Sequence, residues 1–139
     1  MARVKLCLLT LLGCLLMMGC SSSEGEYEVR EGKVFFNEWT FSYGDVTREV
    51  KDADASTFRD LGNAFGKDAH HCFCHTRLLE GADATTFQTI RGRYARDARH
   101  VYYQWYVVEG ADPETFRVTG LTEGKDKNHH YFEESVSEE

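Results

Sequence analysis

Six consecutive residues, His70-His71-Cys72-Phe73-Cys74-His75, concentrate the side chains best suited to chemistry. Thiolates and imidazoles are ligands for zinc and softer metals. Read as a strand, the segment puts His70, Cys72 and Cys74 on one face and His71, Phe73 and His75 on the other, because side chains alternate. The first face offers three metal ligands. The spacing works against such a site: C-x-C lacks the loop of C-x₂-C that lets two sulfurs converge on a tetrahedral ion, and no second cysteine pair follows. Two thiols this close also suggest redox lability, or a Cys72–Cys74 disulfide formed in an oxidising compartment, although so small a ring is strained. The plainest alternative is a pair of small apolar side chains filling a core.

The other candidates are carboxylates, and they recur. From Ala53 the chain reads ADASTFRDLGNAFGKDAHHCFCHTRLLEG, from Ala82 ADATTFQTIRGRYARDARHVYYQWYVVEG, and from Ala111 ADPETFRVTGLTEGKDKNHHYFEESVSEE. The period is 29 residues without a gap. Seven columns are identical in all three units: Ala53/82/111, Asp54/83/112, Thr57/86/115, Phe58/87/116, Asp68/97/126, His71/100/129 and Glu80/109/138. A base precedes the second aspartate each time (Lys67, Arg96, Lys125), and an aromatic fills the column of Phe73, Tyr102 and Tyr131. A carboxylate pair for acid–base work would be unique to one unit. Acids repeated once per unit read as structural: Asp54, Asp83 and Asp112 as turn or cap residues, Asp68, Asp97 and Asp126 in a hairpin turn. His71 recurs in the same way, so its column belongs to the repeat. There is no nucleophile elbow, P-loop, zincin helix or dinucleotide fingerprint, so neither an enzyme nor a cofactor is expected.

Units of 29 residues cannot bury an apolar face alone and must stack to share a core. Within a unit, the aspartate-led start predicts one turn of helix, the recurrent phenylalanine a core plug, and the β-branched and aromatic runs such as His100–Gln104 and Trp105–Val108 short strands. The expected fold is mainly β: an antiparallel β-meander of 29-residue repeats, each with short strands and one helical turn. In the first unit Ser56–Phe65 also fits a short helix, with Phe58, Leu61 and Phe65 on one face. Upstream, Lys33-Val34-Phe35-Phe36-Asn37 matches His100-Val101-Tyr102-Tyr103-Gln104. Val34 lies nineteen residues before Ala53 where Val101 lies ten before Ala111, so this partial unit carries about nine extra residues, within Trp39 to Lys51.

The signature Lys125-Asp126-Lys127-Asn128-His129-His130-Tyr131-Phe132 resembles the DKNYY family. So does Arg96-Asp97-Ala98-Arg99-His100-Val101-Tyr102-Tyr103, followed by Glu109-Gly110-Ala111-Asp112-Pro113-Glu114-Thr115-Phe116. The resemblance covers about residues 33–132. It implies tandem units of this type, often on secreted or lipidated bacterial proteins, and carries over no catalytic residue. The chain departs from the pattern at Ala69 and Ala98, and most at Cys72 and Cys74, where the second unit has Val101 and Tyr103.

The N-terminal end predicts where the repeats work. Arg3 and Lys5 precede an apolar run from Leu6 to Gly19, interrupted only by Thr10 and too short to cross about 30 Å of hydrocarbon. It reads as a secretion signal over residues 1–19. The run ends Met17-Met18-Gly19-Cys20, which resembles a lipobox with Cys20 as the lipidated residue; Met17 stands where leucine is usual. Each buried CH₂ of an acyl chain contributes about 0.8 kcal/mol, so several chains on one cysteine anchor firmly in a bilayer. Ser21 after the cysteine goes, in Gram-negative lipoproteins, with the outer membrane. The expected organisation is therefore a signal at 1–19, lipidated Cys20 and a flexible tether over 20–32, and a repeat domain over 33–134. That domain comprises a partial unit at 33–52 and units at 53–81, 82–110 and 111–139, with 135–139 as a frayed tail.

Removing residues 1–19 takes away Arg3 and Lys5 and no acid, leaving 23 acidic and 14 basic side chains, a net −9. That charge disfavours nucleic acid and anionic lipid and is compatible with a basic protein partner. The expected role is a non-catalytic, envelope-tethered protein-binding module, in one version an immunity-type lipoprotein. Tyr103, Trp105 and Tyr106 would supply contact surface. The competing expectation is metal binding or thiol redox chemistry by residues 70–75.

Overall fold

The structure, a computed structural model, describes residues 25–137. The expected signal peptide, Cys20 and the polar residues up to Glu24 lie outside the described residues, as do Glu138 and Glu139. The described chain is all-β and forms four small antiparallel meanders. The first has three strands, β1 (Glu26–Arg30), β2 (Lys33–Thr40) and β3 (Gly44–Glu49). Each 29-residue unit then makes one four-stranded sheet. Unit one gives β4 (Arg59–Gly62), β5 (Phe65–Lys67), β6 (Cys72–Cys74) and β7 (Arg77–Leu78). Unit two gives β8 (Gln88–Arg91), β9 (Tyr94–Arg96), β10 (Val101–Tyr103) and β11 (Tyr106–Val107). Unit three gives β12 (Arg117–Val118), β13 (Glu123–Lys125), β14 (His130–Phe132) and β15 (Ser135–Val136). No helix among the described residues is long and apolar enough to cross a membrane.

The sheets stack in series, and the apolar side chains collect between them. Val34, Phe36, Val50, Ala64 and Phe73 fill the first gap. Phe65, Cys72, Cys74, Leu79, Ala84, Phe87, Ala95 and Tyr102 fill the second. Tyr94, Val101, Tyr103, Val108, Phe116 and Tyr131 fill the third. An inner sheet is thus covered on both faces, which is why β6 and β10 are buried at every position rather than alternately. The recurrent phenylalanine is the plug that the sequence predicts. Phe87 is 2% exposed and its ring centroid lies 5.9 Å from that of Phe65 and 5.7 Å from that of Tyr102.

Two kinds of side chain tie neighbouring units together. The base before the second aspartate reaches into the turn of the next unit: Lys67 Nζ donates to the carbonyls of Ala84 at 2.8 Å and Phe87 at 3.1 Å, and Arg96 donates to that of Pro113 at 2.6 Å. A tyrosine hydroxyl then bridges two carbonyls of the following unit. Tyr27 donates toward Ala64 at 2.8 Å and His75 at 2.7 Å, and Tyr94 toward Thr122 at 2.8 Å and Glu133 at 3.0 Å. Burial raises the pKa of both phenols, so they remain donors.

Four sequence expectations change. The helical turn is an isolated turn, in which Asp83 O accepts from Thr86 N at 3.2 Å and Phe87 N at 2.9 Å before β8 begins at Gln88. The Ser56–Phe65 helix is instead β4, a turn and the start of β5, because Gly62, Asn63 and Ala64 all take positive φ (77°, 54° and 62°), which no right-handed helix accommodates. The flexible tether drawn to residue 32 ends earlier, since Glu26–Arg30 pairs with β2 as β1. The frayed tail is ordered at its start, since Ser135–Val136 pairs with β14.

The nine extra residues are found in the β2–β3 hairpin. The amide closing each regular unit bonds a carbonyl seven positions earlier: Leu79 N to Cys72 O, Val108 N to Val101 O and Ser137 N to His130 O, all at 2.8 Å. In the partial unit Val50 N bonds Val34 O, sixteen positions earlier, at the same 2.8 Å. Where the other hairpins turn within two residues after Cys74, Tyr103 and Phe132, this one runs on to Thr40 before turning.

Truncating the plug should show how much the stack depends on it. Phe87→Ala is expected to destabilise the protein by about 3–5 kcal/mol, read as a lower urea midpoint at unchanged m-value. Truncation of the exposed Phe41 (97% exposed) should leave the midpoint in place.

Candidate functional site

The segment at 70–75 does not bring its ligands together. β6 begins only at Cys72, and His70 lies in the exposed turn before it. Cys72 and Cys74 do share a face, as alternation predicts, but that face is the gap between units one and two. They are 0% and 1% exposed. Cys72 is an unbridged thiol, so the Cys72–Cys74 disulfide is not formed. Burial among Phe65, Phe87 and Tyr102 pushes its pKa up to about 12, against the smaller opposing pull of the Lys67 charge. Cys74 Sγ lies 3.4 Å from His75 Nδ1, and the His75 ring packs edge-on to Phe36 and Trp105. Among the described residues no group of three His, Cys, Asp or Glu side chains is placed to hold a metal ion. This corrects the set His70, Cys72 and Cys74.

The recurrent aspartates form a built-in scaffold. In unit two, Asp97 Oδ2 accepts from Asp83 N and from the Tyr102 hydroxyl, both at 2.9 Å. Asp97 Oδ1 accepts from Arg99 N and His100 N, both at 2.7 Å. Asp68 and Asp126 repeat the pattern: their Oδ2 atoms accept from Asp54 N and Asp112 N at 2.9 Å. Their Oδ1 atoms accept from His70 and His71, and from Asn128 and His129. The first aspartate caps its own turn: Asp83 takes Thr85 N and the Thr86 hydroxyl, both at 2.9 Å. The Thr86 hydroxyl oxygen accepts from Ala98 N at 3.0 Å. Burial works to raise the pKa of Asp68, Asp97 and Asp126, but the converging amides outweigh it and all three are lowered, Asp126 to about 2. Each of these aspartate bonds is internal to its unit, so these acids are occupied in holding the fold. The Glu80 and Glu109 side chains are exposed, and nothing in the structure explains their recurrence.

The aromatic surface is displaced from its expected position. Tyr103 is 3% exposed and belongs to the third gap, its hydroxyl donating to Glu133 Oε1 at 3.3 Å; it is core, not contact surface. Trp105 is half-buried and Tyr106 is 49% exposed, with ring centroids 5.7 Å apart. They line a shallow groove of about 500 Å³ together with Glu38, Arg48, His75 and Arg77. The Arg77 guanidinium stacks 5.0 Å from the Trp105 ring centroid, a cation–π contact that sequence spacing does not reveal because 28 positions separate the two. Arg48 is paired with Glu38 on the wall. Sequence reasoning also missed Trp39, Phe41 and Tyr43. They stand on the extra hairpin at 57%, 97% and 83% exposure, with Trp39 and Phe41 ring centroids 4.7 Å apart. The one signal was three aromatics at alternate positions inside the nine-residue insertion.

Two outcomes follow from this geometry. Cys72 should resist iodoacetamide at pH 8 in the folded protein and react once urea unfolds it, as read by peptide mass; rapid labelling of the native chain would contradict the buried thiol. The lowered aspartates hold stability that is fully present above their unfolded pKa of about 3.9 and lost as pH falls through the folded value. Urea midpoints should therefore be flat above about pH 5 and fall between about pH 4 and pH 2. Asp97→Asn should lower the plateau by about 1–3 kcal/mol and shrink that fall.

A family model, the DKNYY family, matches residues 63–135. No curated protein and no solved structure matches the chain significantly. The match begins in the turn before β5, ends at the start of β15, and takes in Asp68 and the complete aspartate scaffolds of units two and three. It covers more than half of the sequence, and with the 29-residue geometry repeated three times over, the chain belongs to the DKNYY family.

Proposed function

We propose that this protein is a lipid-anchored, non-catalytic binding module of a bacterial cell envelope, and that its ligand is another envelope protein. The observation that carries this reading is the groove beside Trp105 and Tyr106. It joins half-buried Trp105 and exposed Tyr106, a stacked arginine and the edge strands β7 and β11. Aromatic and arginine side chains are enriched at the centres of protein interfaces, and an unpaired strand edge can add hydrogen bonds to a partner's backbone. The aspartates and Cys72, the groups best suited to reactivity, are engaged in the scaffold or buried, which favours binding over catalysis. The net −9 charge of the chain after residue 19 suits a basic partner. The leader, Gly19-Cys20 and Ser21 support a lipid anchor and, in a host with two membranes, a place on the outer membrane facing the periplasm. Neutralising an incoming toxin is one role that fits a small, anchored, acidic module.

Crosslinking in intact cells tests the proposal. A photoreactive phenylalanine analogue at position 106 should trap one envelope protein. The same analogue at Thr85, an exposed turn residue away from the groove, should trap none. Trp105→Ala should reduce the yield several-fold while the fold survives. Equal trapping at both positions, or none at either, would sink the reading. Cys20→Ser should abolish palmitate incorporation and release the protein from the membrane fraction.

A further inference from the structure

The extra hairpin is the longest among the described residues, and its Glu38 and Trp39 border the pocket at the seam between units one and two. Three equivalent hairpins turn within two residues, at His75-Thr76, Gln104-Trp105 and Glu133-Glu134. The fourth spends nine more residues on a tip that carries Trp39, Phe41 and Tyr43 into solvent. The tip is held in shape: Thr40 Oγ1 accepts from Tyr43 N at 3.2 Å, its hydroxyl lies 3.4 Å from Gly44 O, and Gly44 takes a positive φ of 70° that favours glycine. Exposed aromatics on an ordered hairpin cost solubility, so a covering surface is required to explain them.

The topology points to that surface. β1 runs antiparallel to β2 with Glu26 opposite Asn37, so the chain enters the fold at Gly25 on the same end as the hairpin tip. Gly25 is five positions after Cys20, a span of at most about 18 Å when extended. From Asn37 to the turn at Phe41 the hairpin advances by roughly 13 Å. An anchor at Cys20 and the aromatic tip can therefore reach the same plane. Tryptophan, tyrosine and phenylalanine are the side chains that sit in the interfacial layer of a bilayer, with an apolar body among the upper methylenes and a polar edge among the headgroups. Residues 39–47 contain no lysine or arginine and one acid, Asp45, so this contact does not depend on anionic lipid.

We infer that the hairpin tip is a second membrane contact: Trp39, Phe41 and Tyr43 dip into the interfacial layer of an uncharged bilayer beside the lipid anchor. Two contacts at one end fix the stack's orientation on the bilayer. This rests on the anchored reading above, and the experiment separates the two.

Residues 21–139 carrying an N-terminal histidine tag are bound to phosphatidylcholine vesicles that contain a nickel-chelating lipid. The tag replaces the acyl chains, so the result does not depend on whether Cys20 is lipidated in cells; palmitate labelling of the full chain decides that separately. Tryptophan emission should shift to the blue on binding and be strongly quenched by a lipid with a nitroxide near the headgroup. Both effects should disappear in Trp39→Phe. In Phe41→Ser/Tyr43→Ser, where Trp39 remains as reporter, the blue shift should be largely lost; all these residues are exposed, and circular dichroism checks that the fold is kept. Emission unchanged by the vesicles, or quenching that survives in Trp39→Phe, would overturn the inference. Trp39 left in water on the vesicle but shielded in the crosslinked complex of intact cells would instead assign the tip to the protein partner.

Discussion

A carboxylate withdrawn from water must be given donors, and the second aspartate of each unit is placed where the backbone can supply them. Asp97 is 3% exposed and takes three amides and a phenol. One amide comes from the first turn of the unit, fourteen residues earlier; two come from the turn that joins β9 to β10. The same side chain therefore pins the start of the unit to its central hairpin. Without it those part-buried amides would lose their common acceptor. In units two and three the demand for a fourth donor selects tyrosine, at Tyr102 and Tyr131, in the aromatic column. In unit one that column holds Phe73, and the imidazole of His71 stands 3.5 Å from Asp68 Oδ2 instead.

A unit closed in this way is still thin, and its sheet is useful only when covered on both faces. One column shows how the stack begins and stops. Tyr27, Phe65 and Tyr94 occupy equivalent places and press on Phe58, Phe87 and Phe116 of the following unit. In unit three the place is taken by Glu123, exposed to water. The basic column ends likewise: Lys67 and Arg96 reach forward to the next turn, while Lys125 is exposed. Polar residues on this face of unit three suit its exposure to water.

Much of this was legible in the chain because the physics is periodic. The three units, the phenylalanine plug, the structural role of the aspartates and the size of the insertion all follow from columns that repeat. The failures fall where a residue has no column or where a long-range contact decides. β1 has a single buried anchor, Tyr27, in an otherwise exposed strand, and composition alone made it look like tether. Tyr103, expected at a contact surface for its aromatic type, lies in the core because β10 is covered on both faces. The ligand-rich run at 70–75 misled for the same reason. Cys72 and Cys74 stand where unit two has Val101 and Tyr103, so they fill core volume, and His70 falls in the turn. Neither the Arg77–Trp105 stack nor the direction of the aromatic hairpin can be read from spacing, since both depend on how successive sheets are laid over one another.

The junction between units one and two differs from its neighbours in one atom type. Tyr27 and Tyr94 each bolt their unit to the next through a hydroxyl shared by two carbonyls. Phe65, in the same position, has no hydroxyl to share, and a pocket of about 250 Å³ opens beside it, bordered by Asn63, Cys74, His75 and Gln104. Lys67, the Arg77–Trp105 stack and apolar contact hold this seam in place of the bolt. A pull applied between the N-terminal end of the chain and anything gripping Trp105 passes straight across it. The array is therefore not uniform along its length: load on the groove is borne, one unit in, by a seam of different make from the two bolted junctions.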